Sequence, residues 1–391
     1  MSLTKERIRS IDILRGFIMV IMALDHVRDF FHIDALVGNP LDPATTTPIL
    51  YFTRWITHLC APIFVFLSGT SAYLVGMRKT RSQLSAFLAK RGLWLIVADL
   101  VLMSFAFTFD PGYGFLTLEV IWAIGISMVI LALLVWLPLP VIFAIGVLIF
   151  FGHNLLDIAE AEREGKVGVL WSFLHRPAFY PIGGGRILGV FYPFLPWLGV
   201  MLLGYCMGKW FEPSVDAAVR RRRLVMTGLG LIVLFVAVRA LNVYGDPVPW
   251  TKGDTGLKTF FSFMNVQKYP PSLLFCAPTL GIGLLLLAMF EKMRGGASDV
   301  LNTYGRVPFF YFIVHFYILH FVCMILFFVE GYGADKIRSP NSLFLFRPPE
   351  FGYPLWVVYL IWIAIVMLMY PLCRWYNRYK STHTHWWLSY V

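Results

Sequence analysis

Two ionisable side chains stand eleven residues apart in an otherwise apolar stretch near the start of the chain. Arg15 lies near the beginning of the run 11–31 and His26 near its end. Eleven residues of helix turn through about 1100°, three turns plus about 20°, so both side chains lie on one face roughly 16 Å apart. This register predicts a groove along one helical face. Arg15 would bind an anion near one end of the groove, and the imidazole of His26, a candidate general base, would lie near the other.

Further charged residues surround His26 in the sequence. Asp29 follows His26 by three residues, a spacing at which a carboxylate can accept one ring N–H and leave the other nitrogen free as a base. We expect Asp29 or Asp25 to orient His26 in this way. Arg28 is predicted either to bind the substrate or to belong to a salt-bridge network at the helix end.

The second apolar run carries another pair of polar residues on one helical face, Arg54 and His58. Pro62 cannot donate a hydrogen bond to the carbonyl of residue 58, so we expect a kink in the helix and room for a ligand beside His58. This arrangement suits Arg54 for gripping a polar acceptor. His58 is expected either to share the proton with His26 or to bind that acceptor.

Other buried polar residues have weaker assignments. His315 is expected to bind substrate or to be structural, whereas a structural role is favoured for His320. Asp99 lies in the middle of an apolar run and requires a partner, because an ionisable group in a membrane is costly when unpaired. Glu119 is expected near an interface.

No metal site and no disulfide framework are expected. The five cysteines are an odd number without CxxC or Cys/His spacing. His383 and His385 resemble a metal-binding tract, but the flanking Trp386 and Trp387 favour an interfacial aromatic belt.

The composition assigns the chain to the membrane. Apolar residues make up 58% of the 391 residues and charged residues only 14%, against roughly 25% in soluble domains. The formal charge of +11 comes from short basic clusters between apolar runs, which is typical of a protein embedded in a lipid bilayer and argues against nucleic acid as a partner.

We predict an all-α polytopic bundle with a single domain, 1–391, and about ten spans. The predicted spans are 11–31, 49–77, 93–109, 116–137, 139–151, 187–210, 224–241, 272–290, 307–329 and 355–373. The fifth is short, but Lys and Arg alternate between sides correctly only if it crosses. Both termini are then cytoplasmic, and the long segments 152–186 and 242–270 lie outside, as substrate-access loops or as a solvated cap.

Several segments together resemble the transmembrane acyltransferase superfamily. They are SIDILRGF at 10–17, FVFLSG at 64–69 and the basic stretch at 78–91. A closer likeness is to bacterial proteins with a heparan-alpha-glucosaminide N-acetyltransferase-like catalytic domain. It is carried by ALDHVRD at 23–29, RWITHLCAP at 54–62 and YPFLPWLG at 192–199.

The resemblance implies roles for individual residues. In acyltransferase family 3, the residues matching Arg15 and His26 are associated with the acyl-CoA donor and with catalysis. In the heparan enzymes, an asparagine replaces His26, an aspartate replaces His58, and the catalytic histidine comes later, where His32 is the nearest residue but at the wrong spacing. His26 and His58 therefore compete for one role, and the acceptor group is either an amine or a hydroxyl.

The sequence thus predicts an acyltransferase of a bacterial inner membrane. Acyl-CoA, most simply acetyl-CoA, would bind from the cytoplasm through Arg15, Arg78, Arg81 and Arg91, because guanidinium groups pair well with phosphates. The acceptor would be a glycan or amino sugar reached from outside. The sequence does not fix the oligomeric state, and a homodimer is one assembly it allows.

A secondary transporter is the alternative, since it also buries His, Asp and Arg in a bundle. It would commonly show repeated halves with matching broken helices, which the sequence lacks.

Overall fold

The computed structural model describes residues 7–162, 168–385 and 388. Its first half contains the helices α1 (Arg9–Phe31), α2 (Pro48–Ile56), α3 (Cys60–Gly76), α4 (Arg81–Ala98), α5 (Ser104–Thr108), α6 (Val120–Leu134), α7 (Leu139–Gly152), α8 (Leu155–Glu162) and α9 (Val169–Leu174). Its second half contains α10 (Phe194–Met207), α11 (Ala217–Leu241), α12 (Gly256–Met264), α13 (Leu273–Phe290), α14 (Gly296–Arg306), α15 (Pro308–Val329) and α16 (Leu355–Thr382).

The all-α prediction is wrong in one respect, because the chain also forms a small sheet. The strands are β1 (Phe115–Leu118), β2 (Ala178–Gly183) and β3 (Arg186–Val190). β3 is central, parallel to β1 and antiparallel to β2. The predicted spans beginning at 116 and 187 therefore start as strands and become helical only at Val120 and Phe194, because a short apolar run has no period that separates strand from helix.

Five helical segments in the described part of the chain are long and apolar enough to cross a membrane. They are Pro48–Gly76, Ala217–Leu241, Leu273–Phe290, Pro308–Val329 and Leu355–Thr382. A sixth is obtained if Leu139–Gly152 and Leu155–Ala161, bent by 43°, form one broken span. The remaining four predicted spans correspond to α1 and α4, which carry several charges, and to α6 and α10, which have 15 and 14 residues.

Two local signals place the helix boundaries around the site. Thr80 Oγ1 accepts from Gln83 N, and Gln83 Oε1 accepts from Thr80 N. This capping box starts α4 at Arg81, so the helix begins well before the predicted span 93–109. In the second run, the helix tightens into a 3₁₀ turn at Thr57–Leu59, shortly before Pro62, as the proline predicts.

Glycines let the helices of the core approach closely. A Cβ on Gly16 of α1 would lie 1.8 Å from the carbonyl oxygen of Leu301 in α14, and one on Gly305 would lie 1.7 Å from that of Asp12. A Cβ on Gly69 of α3 would likewise lie 2.1 Å from the carbonyl oxygen of Met201 in α10. Besides α14, α1 packs against α3, α13, α15 and α16 and lies at the centre of the bundle.

Candidate active site

Arg15 and His26 lie on the same helix, α1, and Arg15 is held at its amino-terminal end. Arg15 Nη1 donates to Asp12 Oδ1 at 2.8 Å and to the carbonyl of Gly305 at 3.1 Å, and its Nη2 donates to Ser71 Oγ at 2.9 Å. The guanidinium is therefore fixed against α3 and α14. Asp12, its ionic partner, was missed by the sequence analysis although it stands at i−3.

His26 contacts a second histidine on α15. His26 Nδ1 lies 2.8 Å from His315 Nε2, and the two rings are stacked with centroids 5.0 Å apart. His315 is fully buried, whereas His26 is partly exposed and packs against the Phe316 ring at 4.2 Å. The sequence placed His315 among the substrate-binding candidates, but its nearest polar partner is the candidate base.

The hydrogen bonds of this pair define which nitrogens carry protons. His315 Nδ1 lies 2.9 Å from the carbonyl oxygen of Tyr311, which can only accept, so Nδ1 bears the hydrogen. With both rings neutral, His315 Nε2 is then an acceptor, and His26 Nδ1 must donate to it. The remaining nitrogen, His26 Nε2, has its lone pair free.

The prediction that His26 donates a hydrogen bond to Asp29 is wrong. Asp29 Oδ1 instead accepts from Arg28 Nη2 at 2.6 Å. Arg28 carries a full charge, so the charge-assisted bond is stronger than one from a neutral imidazole. Arg28 also donates to Asp25 Oδ1 at 3.0 Å, which confirms the salt-bridge alternative for this residue.

Asp25 is the centre of a buried ionic cluster, and among the described residues it makes no hydrogen bond to His26. Arg54 Nη1 donates to Asp25 Oδ1 and Oδ2 at 2.5 and 2.7 Å, and Arg28 occupies Oδ1 as well. Arg54 is only 14% exposed and is committed to this carboxylate. A third cation, Lys268, has its Nζ 3.8 Å from Asp25 Oδ2.

Lys268 is the main residue that sequence reasoning missed. It lies between α12 and α13, in the segment taken for an outer loop, yet its side chain is only 11% exposed. Its Nζ approaches Asp25, which is the neighbour of His26 on α1. The available signal was its position four residues before the apolar run 272–290.

His58 lies in the 3₁₀ turn before α3 and is 1% exposed. Its Nε2 has no hydrogen-bond partner among the described residues, and its ring packs 5.1 Å from that of Phe275. The predicted pairing of Arg54 and His58 in acceptor binding is therefore not visible as a contact, because Arg54 points to Asp25.

Of the four arginines predicted to bind acyl-CoA, only Arg81 is among the described residues that line the cavity found near them. This cavity of about 260 Å³ is lined by Lys79 and Arg81 together with Tyr73 and Tyr205 and by apolar residues of α7 and of the turn that precedes it. Arg15, Arg78 and Arg91 are not among its described lining residues. The structure thus places Arg81 beside Lys79, which the sequence analysis did not propose for acyl-CoA binding. Arg15 does not line this cavity.

Two other polar candidates have structural partners. His320 ring nitrogens lie 3.0 and 2.9 Å from the carbonyls of Ala106 and Leu345, in agreement with the favoured structural role. Asp99 begins a short π-helical stretch, Asp99–Met103, and its Oδ2 accepts from the backbone N–H of Glu119 at 2.7 Å. This identifies the partner that the sequence required.

Acidic and histidine residues also meet in the predicted outer segment 152–186. Ligand atoms of Asp157, Glu160 and His175 lie within 4.8 Å of one another, a spacing that could hold a metal ion. Glu160 accepts from Trp171 and His175, and Asp157 accepts from Asn154, so hydrogen bonds account for this cluster. The expectation that the protein has no metal site stays a prediction. The neighbouring Glu164 lies outside the described residues, as do Trp386 and Trp387.

Comparison with known proteins identifies the family. The catalytic region described as "Heparan-alpha-glucosaminide N-acetyltransferase, catalytic" matches residues 7–245. The chain belongs to this family. No curated protein matches the chain. The matched region includes α1, α3 and the basic segment, whereas Lys268 and His315 lie beyond it. Membership in a family of acetyltransferases supports transferase activity and does not favour the transporter alternative.

Proposed function

We propose that the protein transfers an acetyl group from cytoplasmic acetyl-CoA to an amine or hydroxyl of a sugar-like acceptor reached from the other side of a bacterial inner membrane. Family membership supports the reaction class. The observation that carries the assignment of the site is the His26–His315 pair, in which His26 Nε2 is left free as a base. This nitrogen lies on a partly exposed ring beside a buried cluster of fixed charges.

The proposed topology has ten spans with both termini in the cytoplasm, formed by one domain. It places Arg15, Lys79 and Arg81 at the cytoplasmic side and His26 nearer the opposite side. An acetyl-CoA molecule would bind its phosphates through the basic residues and extend its pantetheine arm along α1 toward His26. The length of α1 between Arg15 and His26, roughly 16 Å, is compatible with such an extended arm.

The chemistry follows from the proton positions. The acceptor nitrogen or oxygen attacks the thioester carbonyl carbon while His26 Nε2 removes its proton. Electrons from the C–O double bond move to oxygen and then return to expel the CoA thiolate, which takes the proton from His26. Throughout, neutral His315 accepts the Nδ1–H bond of His26 and stabilises the imidazolium that forms. Direct transfer is preferred to an acetyl-histidine intermediate.

The ionic residues have supporting roles in this proposal. Asp25 holds Arg54 and Arg28 in place, and Asp29 receives the second hydrogen bond of Arg28. These arginines line the acceptor side of the site. His58, buried with a free Nε2, is the candidate for recognising the acceptor.

The test is acetyl transfer by the purified protein in nanodiscs, with acetyl-CoA and a panel of amino-sugar and hydroxyl acceptors. Loss of a general base typically lowers the rate about 10²–10⁴-fold, so we expect His26→Ala to lose transfer while it keeps acetyl-CoA binding. His58→Ala should chiefly raise the acceptor KM. If His58→Ala is inactive at saturating acceptor and His26→Ala is merely weak in acceptor binding, the two roles are exchanged. If neither variant changes turnover, the proposal fails.

A further inference from the structure

Lys268 brings a third cation into the site from a part of the chain beyond the family-matched residues 7–245. Its side chain is 11% exposed, its Nζ lies 3.8 Å from Asp25 Oδ2, and it stands 5.1 Å from the centre of the Tyr269 ring. A buried lysine is unexpected in this polar segment unless its charge has a role. An ionisable group within a membrane bundle is costly and commonly marks a functional position.

The donors of Lys268 are not committed to Asp25. Both oxygens of that carboxylate already accept from Arg54 at 2.5 and 2.7 Å, and Oδ1 accepts from Arg28 as well. The 3.8 Å separation of Lys268 Nζ from Oδ2 exceeds a hydrogen bond, so this contact is an ion pair only. The ammonium group therefore retains N–H donors that a bound molecule can use.

The surroundings of Lys268 indicate what that molecule offers. Asp25, whose Oδ2 lies 3.8 Å from Lys268 Nζ, is the residue next to His26 on α1, so the charge of Lys268 acts on the region where the base would work. Asp25 and Asp29 supply two negative charges against the three cations Arg28, Arg54 and Lys268. An oxygen that becomes negative next to His26 would be stabilised by this excess of positive charge, because fixed donors in a water-poor site act strongly on developing charge.

We propose that Lys268 is a catalytic residue whose Nζ–H donates to the carbonyl oxygen of the acetyl thioester. This inference rests on the proposed function. As the acceptor attacks the carbonyl carbon, the C–O electron pair moves to oxygen and Lys268 stabilises that oxyanion. The pair then reforms the carbonyl and the C–S bond breaks. Lys268 keeps its proton, and His26 carries the acceptor's proton to the thiolate.

The experiment compares Lys268→Met, Lys268→Gln and Lys268→Arg with a matched control, Lys258→Met, in the full-length protein. Lys258 lies in the same segment but is 39% exposed and pairs with Asp254. Removing one oxyanion donor typically lowers kcat about 10²–10³-fold, so we expect that loss in Lys268→Met. Lys268→Arg should retain more activity than Lys268→Gln. Acetyl-CoA binding and the acceptor KM should change little, and the control should match the wild type.

Several results overturn the inference. A wild-type kcat in Lys268→Met would do so, as would a raised acceptor KM with an unchanged kcat, which would mean that Lys268 binds the acceptor. If Lys268→Met fails to fold, equal kcat values in the Arg and Gln variants and the wild type would be equally decisive. The His26→Ala variant separates the two proposals. If neither His26→Ala nor His58→Ala changes turnover, the proposed function fails, whereas an inactive His26→Ala with a fully active Lys268→Met removes only the role of Lys268.

Discussion

Replacing His315 tests whether the tautomer of His26 is set by its neighbour. In the resting enzyme, His26 Nδ1 donates to His315 Nε2 in a neutral hydrogen bond, whose net worth is about 0.5–1.5 kcal/mol. Once His26 takes up the acceptor's proton, the same bond has a charged donor and is worth about 1.5–3 kcal/mol. Losing it therefore raises the barrier by about 1–1.5 kcal/mol, which corresponds to a decrease in kcat of about tenfold.

We expect His315→Ala to show this tenfold loss at saturating substrates, with acetyl-CoA affinity unchanged. His315→Gln should recover part of the loss, because its amide oxygen can accept the Nδ1–H of His26. The assay is steady-state acetyl transfer with separate determination of kcat and KM. His320→Gln is the matched control, since it removes a buried histidine from the same helix but one that faces the backbone of Ala106 and Leu345.

Two results would refute this reasoning. An unchanged kcat in His315→Ala would show that His26 needs no partner. A loss as large as that of His26→Ala, with no recovery in His315→Gln, would show that His315 is itself the base.

Three further predictions concern the basic cavity, the helix packing and the topology. Replacing Lys79 and Arg81 with Gln should weaken acetyl-CoA binding and reduce its salt dependence, because both side chains line the cavity proposed for the donor phosphates. An unchanged acetyl-CoA affinity in a titration would show that this cavity is not the phosphate site. Gly305→Ala should lower the free energy of unfolding by about 1–3 kcal/mol, because its Cβ would meet the backbone of α1. The control Gly230→Ala on α11 has open space around it and should not lower the free energy of unfolding. Melting curves in detergent measure both variants. A reporter fused after Val391 should be active only in the cytoplasm, and activity only outside would overturn the proposed topology.

The family and the membrane character could be predicted from sequence because both depend on local patterns. The segments 10–17 and 23–29 lie within a match that covers 7–245, and long apolar runs require only counting. The interruption near His58 was also predictable, since Pro62 acts on its own helix. The short strands at 115–118 and 186–190 were not, because their pairing joins segments about 70 residues apart.

The partners within the site could not be predicted for a related reason. His26 and His315 are 289 residues apart, so no helical spacing connects them. The expected bond from Asp29 to His26 satisfied the i,i+3 rule but ignored Arg28, which is adjacent and charged. Lys268 belonged to a segment whose polar composition is typical of an exposed loop, and its approach to Asp25 joins two parts of the chain that are far apart in sequence.

The central claim is that His26 drives acetyl transfer across the membrane, and the direct measurement uses sealed proteoliposomes of known protein orientation. Labelled acetyl-CoA is supplied on the side of Lys79 and Arg81, and an amino-sugar acceptor on the other side. We predict that labelled acetylated acceptor forms with the wild-type protein and falls about 10²–10⁴-fold with His26→Ala, while acetyl-CoA binding persists. Equal product formation by both proteins, or no transfer from that side by the wild type across the acceptor panel, would contradict the account.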